Sequence, residues 1–144
     1  MTTTTTRTTD LTLPVISVVA DQVLTPSGPE DLETWARGAL MFWHVADGLD
    51  LHTRLAHARG SGRPAPLLLA YGKGSDVVRF AAPIIGLTRV LPPLWTFVCD
   101  DVREDLLGQV VTVDGEPVVR QQGVAYASPA GPGRDGFVRS LLRG

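Results

Sequence analysis

The stretch Asp47-Gly-Leu-Asp50-Leu-His52 places two carboxylates close to a histidine at the break between two helical patterns. A histidine held by a nearby carboxylate and facing an apolar pocket can give or take a proton near neutral pH. Asp47 and His52 are therefore the candidate catalytic pair. The same residues also suit a structural role, in which Asp47-Gly48 ends one helix, Asp50 caps the next and His52 is a polar residue in its first turn. Further along, Gly60 stands where a left-handed helix cap belongs, and Gly62 continues the turn.

Other reactive residue types carry less. His44 falls inside an apolar helical pattern beside Trp43 and reads as a core residue, while His57 faces solvent. The three histidines lack the carboxylate-supported i, i+4 arrangement of a helical zinc site, so no metal and no cofactor are expected. Tyr71-Gly-Lys-Gly-Ser75 lacks the G-x4-G-K-[ST] spacing and the following helix of a phosphate cradle, and reads as a loop. The single cysteine, Cys99, is followed by acids, which raise a thiol pKa and disfavour a nucleophilic role. Asp100-Asp-Val-Arg-Glu-Asp105 reads as a solvated turn.

The elements that must position these residues follow from periodicity. Ser27-Gly-Pro-Glu30 has the form of a capping box, and Leu32, Trp35, Ala36, Leu40, Trp43 and Ala46 then recur as one helical stripe. Ala39, Met41, Phe42 and Val45 lie off that stripe and are apolar too. The spacing therefore predicts a long central helix from about Pro29 to Ala46, wrapped on all sides. A second, short helix runs from Asp50 to Ala58 with Leu51, Leu55 and Ala58 inward.

Strands are expected within Leu13–Leu24 and near Leu67–Tyr71, Val77–Ile85, Trp95–Val98, Leu107–Val113 and Val118–Ala127. Asp114-Gly115 joins the last two as a two-residue type I′ hairpin. Phe137, Val138, Leu141 and Leu142 mark a short docking helix or a frayed tail. Helix followed by a run of antiparallel strands describes an α+β domain with a sheet folded around a helix.

With 144 residues, 44% of them hydrophobic, the chain can bury a core without staples. Residues 1–10, rich in threonine, read as a disordered leader, with a β-branched strand running on into Leu11 as the alternative, and 11–144 as one domain. A net charge of -2 offers no field for a phosphate backbone, so nucleic acid is not an expected partner. No apolar run is long enough to span a bilayer, and a cytoplasmic chain is expected.

The pattern D-G-L-D-L-H at Asp47–His52, followed by Ala58, Gly60, Gly62 and Arg63-Pro64, resembles the motif of MaoC-like (R)-specific enoyl-CoA hydratases and dehydratases. The stretch Val113–Pro129 resembles the closing hairpin of the same group. The resemblance implies a hot-dog fold, an antiparallel sheet wrapped around a long central helix, and usually a homodimer. It also implies that Asp47 and His52 add or remove water across the double bond of an acyl thioester, carried on coenzyme A or an acyl carrier protein. Backbone N–H groups near Gly60 and Gly62 would then polarise the thioester carbonyl.

Ala46, Leu49, Asp50 and Arg54 differ from the group's pattern, which keeps open a non-catalytic hot-dog subunit. Ranked ahead of that subunit, and second to the hydratase, is a chorismate-lyase-like lyase or ligand-binding domain, which the helix entry at Asp47–Leu55 and the Asp114-Gly-Glu-Pro117 hairpin also resemble.

Overall fold

The computed structural model describes residues 7–20, 36, 39–40, 43–45, 47–91, 94–121 and 123–142. Nine strands and two α-helices are described: β1 (Thr8–Leu11), β2 (Val15–Ala20), β3 (Trp43–His44), α1 (Gly48–Gly60), β4 (Leu67–Gly72), β5 (Val78–Leu91), β6 (Leu94–Cys99), β7 (Val110–Val113), β8 (Glu116–Pro117), β9 (Val124–Ala127) and α2 (Gly133–Leu142). A short 3-10 turn spans Glu104–Leu106.

Six strands form one sheet in the order β3-β6-β5-β4-β2-β9, and β1-β7-β8 form a second. The large sheet is antiparallel except for β2 and β4, which run parallel. That pairing needs a crossover, and α1 lies on the connection.

The middle of the large sheet, at β2 and β4, is buried on both faces, which is why β4 reads as an unbroken apolar run. Leu68 and Ala70 point into a core shared with Leu51, Leu55 and Ala58 of α1 and Phe137 and Leu141 of α2. Leu67, Leu69 and Tyr71 point the other way, into a core closed by Leu11, Val111, Val113 and Val118 of the small-sheet side. Helices, large sheet and small sheet thus stack as layers around two cores.

Curvature comes from β5. Its first half, up to Pro83, pairs with β4, and its second half, from Ile84, pairs with β6. A register shift between Ile84 and Gly86 marks the change, and such a bulge bends a strand. The bent half brings β6 and β5 over the start of α1. A Cβ built on Gly48 would lie 2.2 Å from Trp95 Cε2, so the indole rests where only glycine leaves room.

Several expectations are met in detail. Leu51, Leu55 and Ala58 are buried as one stripe of α1. Asp114 and Gly115 have φ of 49° and 80°, the two left-handed residues that a type I′ turn requires. The C-terminal apolar residues form a docked helix, with Phe137 and Leu141 buried.

Others are corrected. The expected Pro29–Ala46 helix falls largely outside the described residues; Ala36, Ala39 and Leu40 are helical, but Trp43 and His44 are not. They pair with Trp95 and Leu94 as β3, where β-favouring tryptophans sit directly opposite one another. His44 is exposed there rather than buried in a helix. Of the expected leader, residues 1–6 lie outside the described ones, whereas Thr8–Asp10 belong to β1, parallel to β7. Asp50 does not cap α1; the helix begins at Gly48, with Asp47 as its N-terminal flanking residue. The strands expected over Leu107–Val113 and Val118–Ala127 shorten to Val110–Val113 and Val124–Ala127, and they are not hairpin partners: the Asp114-Gly115 turn pairs β7 with β8, whereas β9 pairs with β2 in the large sheet.

Candidate functional site

His52 lies on the second turn of α1, half-buried under the bent part of β5. Its Nδ1 accepts a hydrogen bond from the Leu87 backbone N–H at 3.1 Å. A Cβ on Gly86 would come within 3.2 Å of both His52 Cε1 and Nδ1, so the ring is held against a strand backbone stripped of side chain. An Nδ1 that accepts from an amide carries no proton, so the single proton of the ring is on Nε2. His52 therefore presents an N–H donor to whatever meets Nε2.

Asp47 is exposed, in left-handed conformation with φ 53°, and its side chain makes no capping hydrogen bond. Its carbonyl accepts the Leu51 N–H at 3.1 Å, opening the helix. Among the described residues no hydrogen bond joins Asp47 to His52. The acid–base pair implied by the resemblance is thus not assembled by direct contact.

Gly60 and Gly62 are at the other end of α1. Eight residues separate His52 from Gly60, roughly 12 Å along a helix. Gly60 is the last helical residue, and the left-handed position is Gly62, with φ 76°. The Gly62 N–H donates to the Arg59 carbonyl at 3.0 Å. That donor closes the helix end and is not free to polarise a carbonyl.

The carboxylate of the motif that is engaged is Asp50. Its Oδ2 accepts from Arg54 Nε at 2.9 Å and from Arg134 in the first turn of α2 at 3.0 Å. The two guanidiniums, Arg54 first, hold the Asp50 carboxyl below the usual carboxylate range. This clamp ties α1 to α2. Its i, i+4 half is visible in sequence, and its Arg134 half is not. Tyr126 packs against Phe137 beside the clamp, ring centroids 5.2 Å apart and planes tilted by 59°, and burial raises its phenol pKa, with Arg134 opposing.

The remaining candidates are quiet. His57 is exposed, as expected. Burial pushes the Cys99 thiol up to about 12. Arg103 and Asp105 pair with each other at the 3-10 turn. Among the described residues no group of His, Cys, Asp and Glu could hold a metal ion. No helix of those residues is long and apolar enough to cross a membrane.

Comparison of the chain with protein-family models, with curated proteins and with solved structures returns no match.

Proposed function

We propose that this chain is a hot-dog-like, non-catalytic domain that binds an acyl thioester, on coenzyme A or a carrier protein, and holds its carbonyl without hydrating it. The observation that carries this reading is the hydrogen bond from Leu87 N–H to His52 Nδ1. It leaves Nε2–H as a donor suited to a carbonyl oxygen. A base at Nε2 would need the proton moved to Nδ1, against a backbone N–H that cannot turn away. The mixed α+β build, a large curled sheet over α1, is compatible with a hot-dog-like fold.

A hydratase or dehydratase is the second reading. What favours it is that Asp47 and His52 flank the same end of α1, with the Asp47 side chain exposed. One bridging water would complete a pair.

Titration calorimetry with acetyl-CoA, alongside loss of enoyl absorbance with a short trans-2-enoyl-CoA, separates the two. The expected result is saturable binding, no turnover, and about 3–10-fold weaker binding in His52→Phe, the worth of one hydrogen bond. Absence of binding overturns both readings. Turnover that falls roughly 10²–10⁴-fold in His52→Ala establishes the hydratase instead. The dimer that usually accompanies such a fold is checked by sedimentation of the same protein.

A further inference from the structure

Away from His52, a cleft of about 390 Å³ opens between the β7–β8 hairpin, the end of β9 and the turn into α2. Its volume is in the range of small-molecule sites, roughly 300–1,000 Å³. The walls are largely apolar, with Pro117 and Val119 on the hairpin side and Ala127 and Pro129 on the β9 side. Val119 is 52% exposed, an apolar surface left facing the opening.

The charged residues of the lining are of one sign, beside the neutral Tyr126 and Ser128. Asp114 and Glu116 line the cleft, and both are exposed. Among the described residues neither carboxylate has an ion pair or hydrogen bond, while the arginines of the same region are engaged. Arg54 and Arg134 are held by Asp50, Arg139 donates to the Ala130 carbonyl, and Arg120, next to Val119, lies over the Tyr71 ring at 5.8 Å.

Both sides of the opening are braced. The Asp10 carboxylate accepts from Thr112 Oγ1 and from the Gly115 N–H, each at 2.7 Å, and so fixes the hairpin tip. Ser128 Oγ donates to the Gly131 carbonyl and accepts from the Ala130 N–H, each at 3.1 Å, and fixes the turn opposite. A site built this way needs little ordering when it is filled.

We propose that this cleft binds a small organic cation, an amine or quaternary ammonium group carried on an apolar body. The body covers the proline and valine walls and releases their water. The positive group sits between Asp114 and Glu116. An anion of the same shape is repelled, and a neutral one keeps only the apolar part of the binding. The proposal is independent of the role of His52.

The test is titration calorimetry with three probes of one shape: benzyltrimethylammonium, benzyl alcohol and benzoate. The cation should bind saturably, and the other two about tenfold more weakly or worse. The double variant Asp114→Asn, Glu116→Gln should lose about tenfold for the cation alone. Asparagine tolerates the left-handed backbone at position 114, where φ is 49°. Val119→Trp, at an exposed position, should fill the cleft and abolish binding of every probe while the unfolding curve stays that of the parent. Equal binding of the three probes, no saturable binding of the cation, or cation binding untouched by the double variant would overturn the proposal.

Discussion

Replacing Gly136 with alanine sets two effects of opposite sign against each other. The position is inside α2, where alanine ordinarily stabilises a helix over glycine by about 0.8–1.0 kcal/mol. A Cβ there would lie 2.1 Å from the Gly131 carbonyl oxygen and 2.4 Å from its carbon. Ordinary carbon–oxygen contacts are roughly 3.3 Å or more, so the turn would have to move by about 1 Å. It is poorly placed to do so, because Gly131 O accepts from Ser128 Oγ and the neighbouring Ala130 carbonyl accepts from Arg139.

Overpacking of this kind costs about 1–3 kcal/mol, and the contact with backbone atoms places it toward the upper end. The net expectation for Gly136→Ala is destabilisation by about 1–2 kcal/mol, read from equilibrium urea unfolding by far-ultraviolet circular dichroism. Gly60→Ala is the control. No heavy atom lies within 4 Å of a Cβ there, so it should be neutral or stabilising by up to about 1 kcal/mol. A Gly136→Ala protein as stable as the parent, or more stable, would refute the packing of the 131 turn on α2.

Two further outcomes rest on charge and burial. The lowered Asp50 carboxyl stabilises the fold above its ordinary value of 3.8, and that contribution is lost as pH falls through the lowered folded value. Asp50→Asn should therefore be less stable than the parent at neutral pH, with the gap narrowing below pH 3.8 and closing in stronger acid; a gap independent of pH would exclude the clamp. The gap should be small and should shrink in high salt, since the pair is partly open to water. With its thiol pushed up to about 12, Cys99 should resist iodoacetamide at neutral pH in the native protein and react once urea unfolds it, and rapid native labelling would contradict its burial.

How far the fold can be read from sequence differs by element, and the reason is which signal each carries. α1, β4 and the Asp114-Gly115 turn are specified locally, by a helical stripe, an apolar run and a dipeptide that suits left-handed backbone. β1 and β3 are not. Thr8–Leu11 becomes a strand because it finds β7 more than a hundred residues away, with Thr8 opposite Val110. Trp43 and His44 leave the helical pattern because Trp95 offers a partner across β6. Pairing at such separation decides what local preference leaves open: the β-branched threonines before Leu11 suit a strand as well as a leader, whereas Trp43 and His44 fit a helical stripe until a partner strand claims them.

The same division runs through the candidate site. His52 was legible as a residue able to do chemistry, but what sets its proton is the N–H of Leu87, 35 residues away, and a backbone amide has no residue type to recognise. Asp50 reads as a cap until Arg134, 84 residues away, takes its oxygen. Gly60 and Gly62 look like donors for a carbonyl, yet closing α1 consumes the Gly62 N–H. Residue type tells which groups are capable of a task, and only the hydrogen-bond account tells which are still free to perform it. For this chain that account takes up the Asp50 carboxylate and the Gly62 N–H, and leaves the exposed Asp47 side chain and one oriented N–H on His52. An oriented N–H alone can hold a carbonyl, whereas adding water to a double bond needs a base as well, so whether Asp47 reaches His52 through water is what decides between binding and turnover.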